Sequence, residues 1–237
     1  MSATKLLSNF PDLKEFYPQG GGRRYVTPEG HQYPSVTTVI GAQSDKTGLD
    51  EWRARVGDKE ADRTSRKARN RGQLLHDICE KYALGEEGFD AGYFPDVIAM
   101  FESMRYVFDE DVTEVVGTEI PMYSDHLETA GRTDLVAKYK NRLAIIDYKN
   151  SMKPKKAEWI RNYFIQTSVY CVMFEERTGV PIADIVIIMA IEGNPRAEVF
   201  HGKRDEFIGD FIQMRKDYAK GRYFNYNSRF SGAPDSV

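Results

Sequence analysis

The sequence contains little cysteine and no long hydrophobic run, and each shortage excludes a class of protein. Its two cysteines, Cys79 and Cys171, cannot supply the four thiolates that an iron–sulfur cluster needs. No run of about 18 apolar residues occurs, so the sequence offers no candidate transmembrane helix. Residues 1–10 also lack the apolar core of a signal peptide. We therefore expect a cytoplasmic protein with reduced cysteines, without an iron–sulfur cluster and without membrane association.

The chain also lacks the overall positive charge typical of nucleic-acid-binding proteins, since its formal net charge is −3. Its basic residues are nevertheless concentrated in two segments, 53–71 with a net charge of +5 and 138–161 with a net charge of +6, which leaves −14 for the remainder. A solvated helix face gives the same pattern. A protein that binds a polyanion in one groove and repels it elsewhere is also expected to show it. Helix-turn-helix, zinc-finger and aromatic RNP motifs are absent, which argues against sequence-specific binding.

The most informative residues are Asp134, Asp147 and Lys149. The apolar residues 143–146 predict a buried strand, and residues 133–139 predict another strand before it. Side chains alternate between the two faces of a strand, so Asp147 and Lys149 project from the same face. If residues 140 and 141 form a two-residue hairpin loop, the numbers of opposed residues sum to 281, and Asp134 lies opposite Asp147.

This arrangement predicts a site for a divalent cation. Directly opposed side chains have Cβ atoms roughly 5 Å apart, and like charges there are destabilising. Asp147 follows four apolar residues, which is an unfavourable place for an unpaired charge. The alternative is a surface hairpin with scattered charges. Lys-Asn is not the favoured turn, and a slip of one residue would move Asp134 to the other face.

Hydrophobic periodicity predicts an α/β (α+β) fold in which helices precede antiparallel strands. The predicted elements are a hairpin at 23–33, a helix capped by Ser35 and reaching residue 40, helices at 49–69, 73–83 and 92–109, strands at 113–123, 129–139 and 142–149, a helix at 155–177, strands at 185–191 and 197–201, and a helix at 205–219. We expect one compact domain overall, in which residues 1–110 form an N-terminal hairpin and helical lobe, residues 111–224 form the core, and residues 225–237 are a flexible tail.

Four short motifs resemble the PD-(D/E)XK nuclease superfamily in its RecB-like form. Gly-Arg-Thr-Asp at 131–134 and Ile-Asp-Tyr-Lys at 146–149 resemble its catalytic core. Arg-Gly-Gln-Leu-Leu-His at 71–76 resembles its Gly-x3-His motif, and Gln-Thr-Ser-Val-Tyr at 166–170 resembles its Gln-x3-Tyr motif. With Pro-Ser-Val-Thr at 34–37, the order and spacing most resemble the mitochondrial genome maintenance exonuclease and its phage-encoded relatives. The resemblance covers about residues 34–220 and implies a restriction-endonuclease-like αβββαβ core with an N-terminal helical lobe that carries the histidine motif.

These residues suggest how Mg²⁺ or Mn²⁺ would be bound. Asp134 and Asp147 are the expected direct ligands, joined by the backbone carbonyl of Tyr148, because Mg²⁺ prefers oxygen ligands. Lys149 would place its ammonium beside the attacking water and the scissile phosphate. The resemblance adds His76 as a further ligand, although a histidine at such a place is otherwise a core residue. Glu119 stays unassigned, since it suits either the metal site, a contact with Lys149, or solvent.

The expected DNA contacts flank these catalytic residues, Asp134, Asp147 and Lys149. Gln166 and Tyr170 are four residues apart and share one helix face, which the resemblance places against DNA, although a tyrosine at helical spacing is more often packed in the core. The predicted DNA-binding residues are Arg66, Arg69, Arg71, Ser151, Lys153, Gln166 and Tyr170, with Lys155 and Lys156 as further phosphate contacts.

The sequence therefore predicts a Mg²⁺-dependent DNA exonuclease that acts on single-stranded DNA or free DNA ends in replication, repair or recombination. The preference for single strands is implied by the resemblance alone. Replication or recombination proteins are possible partners, and a phage origin would place the enzyme in the cytoplasm of an infected host cell. One alternative is a structure-directed DNA endonuclease. Another, from a different class, is a catalytically inactive nuclease-like protein that binds DNA.

Overall fold

The computed structural model describes residues 9–19 and 21–221. Two β-sheets and six α-helices make up this part of the chain. The first elements in chain order are β1 (Lys14–Phe16), β2 (Arg24–Val26), β3 (Gln32–Pro34), α1 (Val36–Gln43), α2 (Thr47–Val56), α3 (Asp58–Ala83) and α4 (Pro95–Asp111). The later elements are β4 (Val112–Ser124), β5 (Thr129–Tyr139), β6 (Arg142–Ser151), a 3-10 turn (Ala157–Ile160), α5 (Arg161–Thr178), β7 (Asp184–Ile191), β8 (Glu198–Lys203) and α6 (Arg204–Ala219).

The larger sheet has five strands in the order β4-β5-β6-β7-β8. Its strands pair antiparallel except β6 and β7, which run parallel and are joined through α5. From α4 to β7 the order is therefore αβββαβ. The structure confirms the predicted mixed fold with a restriction-endonuclease-like core.

Both faces of this sheet are buried, because successive side chains of its strands enter different cores. Ile145 and Ile187 pack with α1, α5 and α6 on one face. Ile146 and Ile188 pack with α3 and α4 on the other face. This explains why β6 and β7 are continuously apolar in sequence rather than alternating. Cys79 and Cys171 are buried and unpaired, one in each core.

The hairpin between β5 and β6 has the predicted register. Tyr139 pairs with Arg142, and the pairing continues to Leu135 opposite Ile146, so that opposed residue numbers sum to 281. Lys140 and Asn141 have φ values of 47° and 64°. A two-residue loop of this kind needs positive φ at both central residues, which asparagine tolerates better than most residues do.

The small sheet, ordered β1-β2-β3, docks against the larger one. Tyr25 packs with Ala130 of β5 in a small separate core. Ser35 makes an isolated bridge to Ala130 and also caps α1, where its side chain accepts a hydrogen bond from Thr38 N. The predicted hairpin at 23–33 and the helix cap at Ser35 are both present.

One boundary was predicted wrongly. The expected helices at 49–69 and 73–83 are instead α2 and a continuous α3, and the break falls at Gly57, whose φ is 85°. Gly72 lies inside α3, where a Cβ would stand 3.1 Å from Asn150 Oδ1. Gly72 therefore allows α3 to approach β6 closely rather than beginning a helix.

The division between lobe and core near residue 110 stays a prediction, and the predicted tail at 225–237 lies outside the described residues. In the part of the chain that the structure describes, no helix is both long and apolar enough to cross a membrane.

Candidate active site

A fork between β5 and β6 brings the predicted catalytic residues together. The pairing of these strands ends at Leu135 opposite Ile146. Beyond this point β5 stays paired with β4, and β6 stays paired with β7. The next residues along the register, Asp134 and Asp147, therefore face each other where the two strands separate. The Tyr148 N–H donates a hydrogen bond to Asp134 Oδ2 at 2.8 Å, so backbone also links the two sides.

Asp134 is paired with His76, which reaches the fork from α3. His76 Nδ1 lies 3.4 Å from Asp134 Oδ1, and the ring of His76 meets that of Tyr148 edge-on with centroids 5.8 Å apart. Burial is the largest single influence and raises the pKa of Asp134, but His76, the Lys149 ammonium and the Tyr148 N–H together outweigh burial and lower this pKa overall. Burial likewise lowers the pKa of His76, while Asp134 more than offsets this and raises it. The pair thus favours a charged carboxylate.

Asp147 is held by two side chains, one from its own strand β6 and one from α5. Its side chain is almost fully buried, and Lys149 Nζ lies 2.5 Å from Oδ2. Gln166, from α5, donates its amide N–H to Asp147 Oδ1 at 3.1 Å. Burial raises the pKa of Asp147; the Lys149 ammonium opposes this shift and the Asp134 carboxylate adds to it.

Lys149 is kept charged in this buried place. Burial lowers its pKa, but the carboxylates of Asp147 and Asp134 outweigh burial and raise the pKa overall. Its ammonium also lies 5.0 Å from the centroid of the Tyr163 ring, within range of a cation–π interaction. The result is a fixed positive charge next to the carboxylates.

Glu119 is the third acidic residue of the fork. The register pairs Thr118 with Leu135 and Ile120 with Thr133, which sets Glu119 opposite Asp134 on the neighbouring strand β4. One ligand atom each from His76, Glu119 and Asp134 lie within 4.8 Å of one another. Burial and the Asp134 charge raise the pKa of Glu119 to about 7. Its φ of 46° is uncommon for a residue other than glycine, and such backbone strain is often stored at functional sites.

The donor set fits a divalent cation. Glu119, Asp134 and Asp147 form a row of carboxylates across three adjacent strands, and His76 closes one side of it. Carboxylate oxygens of this kind suit divalent cations such as Mg²⁺ and Mn²⁺. The raised pKa values of Glu119 and Asp147 show that these carboxylates are not fully compensated by the protein alone. A bound cation would provide the missing compensation.

Some of the predicted DNA-binding residues have exposed side chains that could contact phosphate, and others are already engaged within the protein. Arg66, Arg69 and Lys153 have exposed side chains with no ion pair to any residue in 9–19 and 21–221. Arg71, in contrast, is largely buried and pairs with Glu192 at 3.1 Å, so its charge is already used. Ser151 is engaged in a local turn, in which its hydroxyl donates to the Lys153 carbonyl at 2.7 Å.

Gln166 and Tyr170 share a face of α5, as predicted, but both are engaged within the protein. Gln166 binds Asp147. Tyr170 is only 2 % exposed, and a Cβ on Gly131 would stand 2.7 Å from its ring. The ring is therefore buried against Gly131 and has no surface to offer a base. Core packing, the alternative for this tyrosine, fits its position.

Two residues of the site were missed from the sequence. The sequence leaves Glu119 unassigned. Once β4 is paired with β5, however, Glu119 lies opposite Asp134, just as Asp134 lies opposite Asp147. Tyr163 is not among the residues predicted from the sequence. It precedes Gln166 by three residues and so lies on the same face of α5, which is the signal that identifies it.

Comparison with known protein families identifies the superfamily of this chain. The model of the PD-(D/E)XK nuclease superfamily matches residues 48–207, about two thirds of the chain. The chain therefore belongs to the PD-(D/E)XK nuclease superfamily. It is also similar to a solved structure described as "Crystal structure of SSO0001", with 13% sequence identity, 86% of each chain covered and a TM-score of 0.42. No curated protein matches the chain. Membership implies a nuclease that uses divalent metal ions, with DNA as the implied substrate.

Proposed function

We propose that this protein is a RecB-like, Mg²⁺- or Mn²⁺-dependent DNA exonuclease that acts on single-stranded DNA or on free DNA ends in replication, repair or recombination. The observation that carries the proposal is the fork, where a row of carboxylates meets a buried, charged lysine. The exonuclease mode, the biological process and any replication or recombination partner rest on the sequence resemblance, whereas the cytoplasmic location rests on the expectation that Cys79 and Cys171 are reduced.

The metal-binding residues are His76, Glu119, Asp134 and Asp147, with the backbone carbonyl of Tyr148. When bound, a divalent cation supplies neutralisation of charge on phosphoryl oxygens and a more acidic water at neutral pH. Asp134 is already oriented for this role by His76 and by the Tyr148 N–H. Glu119 offers a carboxylate from the opposite strand, next to the same Asp134 oxygens.

Lys149 is the proposed catalytic cation. Its Nζ atom is fixed by Asp147 and by the face of Tyr163, so little conformational freedom remains to be lost when substrate binds. A fixed ammonium in a water-poor site stabilises negative charge that develops on a phosphoryl oxygen more strongly than a solvated one does. The same N–H groups can orient an attacking water. Gln166 acts through Asp147, since its amide keeps that carboxylate turned towards Lys149.

The DNA backbone would approach along exposed cationic side chains. Arg69 precedes His76 by seven residues on α3 and therefore lies on the same helix face, while Lys153 follows the end of β6. Both are exposed. Phosphate contacts of this kind provide affinity without sequence preference. Arg66 adds a further cation on α3, whereas Arg71, Ser151 and Tyr170 support the fold around the site.

End dependence is the first test of this proposal. Circular and linear single-stranded DNA of the same sequence are incubated with the protein and Mg²⁺, with a chelator control for each. The proposal predicts that linear DNA is degraded and that circles persist. Rapid cutting of closed circles would instead indicate a structure-directed endonuclease and would refute the exonuclease mode.

A matched variant tests the catalytic assignment separately. Asp134→Asn keeps the shape of the side chain and an oxygen that can accept the Tyr148 hydrogen bond, but removes the charge. We expect cleavage to be lost while DNA binding in chelator is retained. A wild-type protein that binds DNA yet cleaves nothing with either Mg²⁺ or Mn²⁺ would favour a catalytically inactive, nuclease-like DNA-binding protein.

A further inference from the structure

A cavity lies between α3 and α4, away from the fork. Its volume is about 470 Å³, which lies within the roughly 300–1,000 Å³ typical of ligand-binding pockets. Leu74 and Val97 contribute apolar surface to it. The rest of the lining is mainly basic or aromatic, and none of these residues has a role in the proposed reaction apart from Arg66.

One side of the cavity is lined by a stripe of residues along α3. Arg63, Lys67, Asn70 and Leu74 recur at intervals of three or four residues and so lie on one face of the helix. His76 comes nine residues after Lys67, which turns it about half a revolution away from this face. The stripe and the fork therefore lie on different flanks of the same helix, and Arg66, ten residues before His76, lies between them.

Two cations of the cavity have no partner in the described part of the chain. Arg63 is engaged by Glu60 at 2.9 Å. Arg66 and Lys67 are exposed and make no ion pair or hydrogen bond with residues 9–19 or 21–221. Asp96 is the one acidic residue of the lining, so the cavity carries a clear positive excess.

Phe94 supplies an exposed aromatic surface at the same cavity. It is 68 % exposed, and its ring makes no aromatic contact with the described residues. Its backbone is extended, with φ of −69° and ψ of 147°, because it directly precedes Pro95, the first residue of α4. A single exposed apolar residue is common on a protein surface. This one, however, is held on restricted backbone beside two unpaired cations, which is the combination that binds single-stranded nucleic acid.

We propose that this cavity is a second subsite for single-stranded DNA, in which one base stacks on Phe94 while Arg66 and Lys67 bind adjacent phosphates. The inference rests on the proposed function, because it assigns the cavity to the same substrate at a distance from the cleaved bond. The strand held at the cavity then passes around α3 to reach the fork. Charge complementarity and the aromatic surface favour this occupant over an apolar segment of a protein.

The test is binding of labelled oligothymidylate to the full chain in chelator, where no cleavage occurs. Base stacking on an aromatic residue accounts for roughly a 5- to 150-fold change in affinity, so Phe94→Ala should weaken binding by a factor in that range. Phe94→Trp should restore binding, and its fluorescence should be quenched by the oligonucleotide. Phe94→Leu should behave like Phe94→Ala, since leucine is apolar but has no ring. Leu84→Ala, which removes another exposed apolar side chain, is the control.

The salt dependence tests the phosphate contacts. For single strands, each phosphate contact contributes about 0.7 to the slope of log affinity against log salt concentration. The double variant Arg66→Ala/Lys67→Ala should therefore reduce the slope by about 1.4, whereas Phe94→Ala should leave it unchanged. Lys216→Ala/Lys220→Ala removes the same charge from exposed positions on and after α6 and should have little effect.

An abasic oligonucleotide of equal length separates stacking from charge. Its affinity should fall in the Arg66→Ala/Lys67→Ala variant but not in Phe94→Ala. Unchanged affinity for oligothymidylate in Phe94→Ala, with wild-type cleavage intact, would overturn this inference and leave the proposed function standing. Failure of the wild-type protein to bind or cleave any DNA would instead overturn the proposed function.

Discussion

Gly131→Ala tests whether the packing behind the fork controls the position of Asp134. Gly131 lies on β5, three residues before Asp134. A Cβ there would stand 2.7 Å from Tyr170 Cε1, 2.8 Å from its hydroxyl oxygen and 3.2 Å from Cζ. Contacts between such atoms are ordinarily 3.4–4 Å. The tyrosine ring cannot swing away freely, because it is 2 % exposed and surrounded by core residues.

The expected cost follows from this overlap. Overpacking a core by one methyl group typically destabilises a protein by about 1–3 kcal/mol. For a domain of this size, each 1 kcal/mol lowers the melting temperature by about 2–4 °C. We therefore expect Gly131→Ala to lower the melting temperature by about 2–12 °C. Cleavage should fall as well, because relief of the overlap displaces β5 and, with it, the Asp134 carboxylate.

Thermal unfolding and cleavage are measured against a matched control. Gly209 lies within α6, is exposed, and a Cβ there would contact nothing within 4 Å. Gly209→Ala should be neutral or slightly stabilising, since alanine is favoured over glycine in a helix interior by about 1 kcal/mol. Adding Tyr170→Leu to Gly131→Ala should recover part of the loss, with a coupling energy of about 0.5–3 kcal/mol. If Gly131→Ala melts like Gly209→Ala, the packing argument is refuted.

Four further predictions concern the fork itself. Asp134→Asn should abolish the rise in melting temperature that metal causes in the wild-type protein. At a metal concentration about 100 times the dissociation constant, this stabilisation is about 2.7 kcal/mol. An equal rise in both proteins, measured by calorimetry, would contradict the ligand role of Asp134. Lys149→Arg should reduce kcat at least about 100-fold while DNA affinity stays unchanged. The reason is that a planar guanidinium cannot replace the compact ammonium whose Nζ lies 2.5 Å from Asp147 Oδ2. A kcat near that of the wild-type protein would refute the role of Lys149. Tyr148→Phe should leave cleavage intact and the melting temperature equal or higher, since the buried hydroxyl lacks a hydrogen-bond partner among the described residues. A large loss of cleavage or of thermal stability would show that the hydroxyl is used. Burial and the Asp134 charge raise the pKa of Glu119 from 4.5 to about 7. The stability that protonated Glu119 provides is therefore complete below about pH 4.5 and is lost as the pH rises through 7. The melting temperature of the metal-free protein should fall over this range, and Glu119→Gln should reduce the fall.

Much of the central sheet follows from sequence, because its signals are local. The apolar run before Asp147 and the two polar residues Lys140 and Asn141 define a strand, a turn and a register, and the structure has that register. The geometry of the fork then follows from strand pairing alone. Family motifs added His76, which lies in another part of the chain and which strand pairing cannot reach.

Features that depend on tertiary contacts could be predicted less well from the sequence. Gly72 suggested a helix start, but its lack of a side chain serves the contact between α3 and Asn150. The role of Glu119 depends on which strand pairs with β5, and that of Tyr163 depends on how α5 lies on the sheet. Tyr170 shares a helix face with Gln166, yet only the packing of Gly131 shows that its ring is buried.

Anomalous diffraction from crystals soaked in manganese is the most direct test of the proposed metal site, because it locates the ion without relying on activity. We predict one strong peak at the fork, within coordination distance of His76, Glu119, Asp134 and Asp147, and its loss in Asp134→Asn. A fork that stays empty at saturating manganese, or a peak bound only by residues outside it, would contradict the assignment of this site.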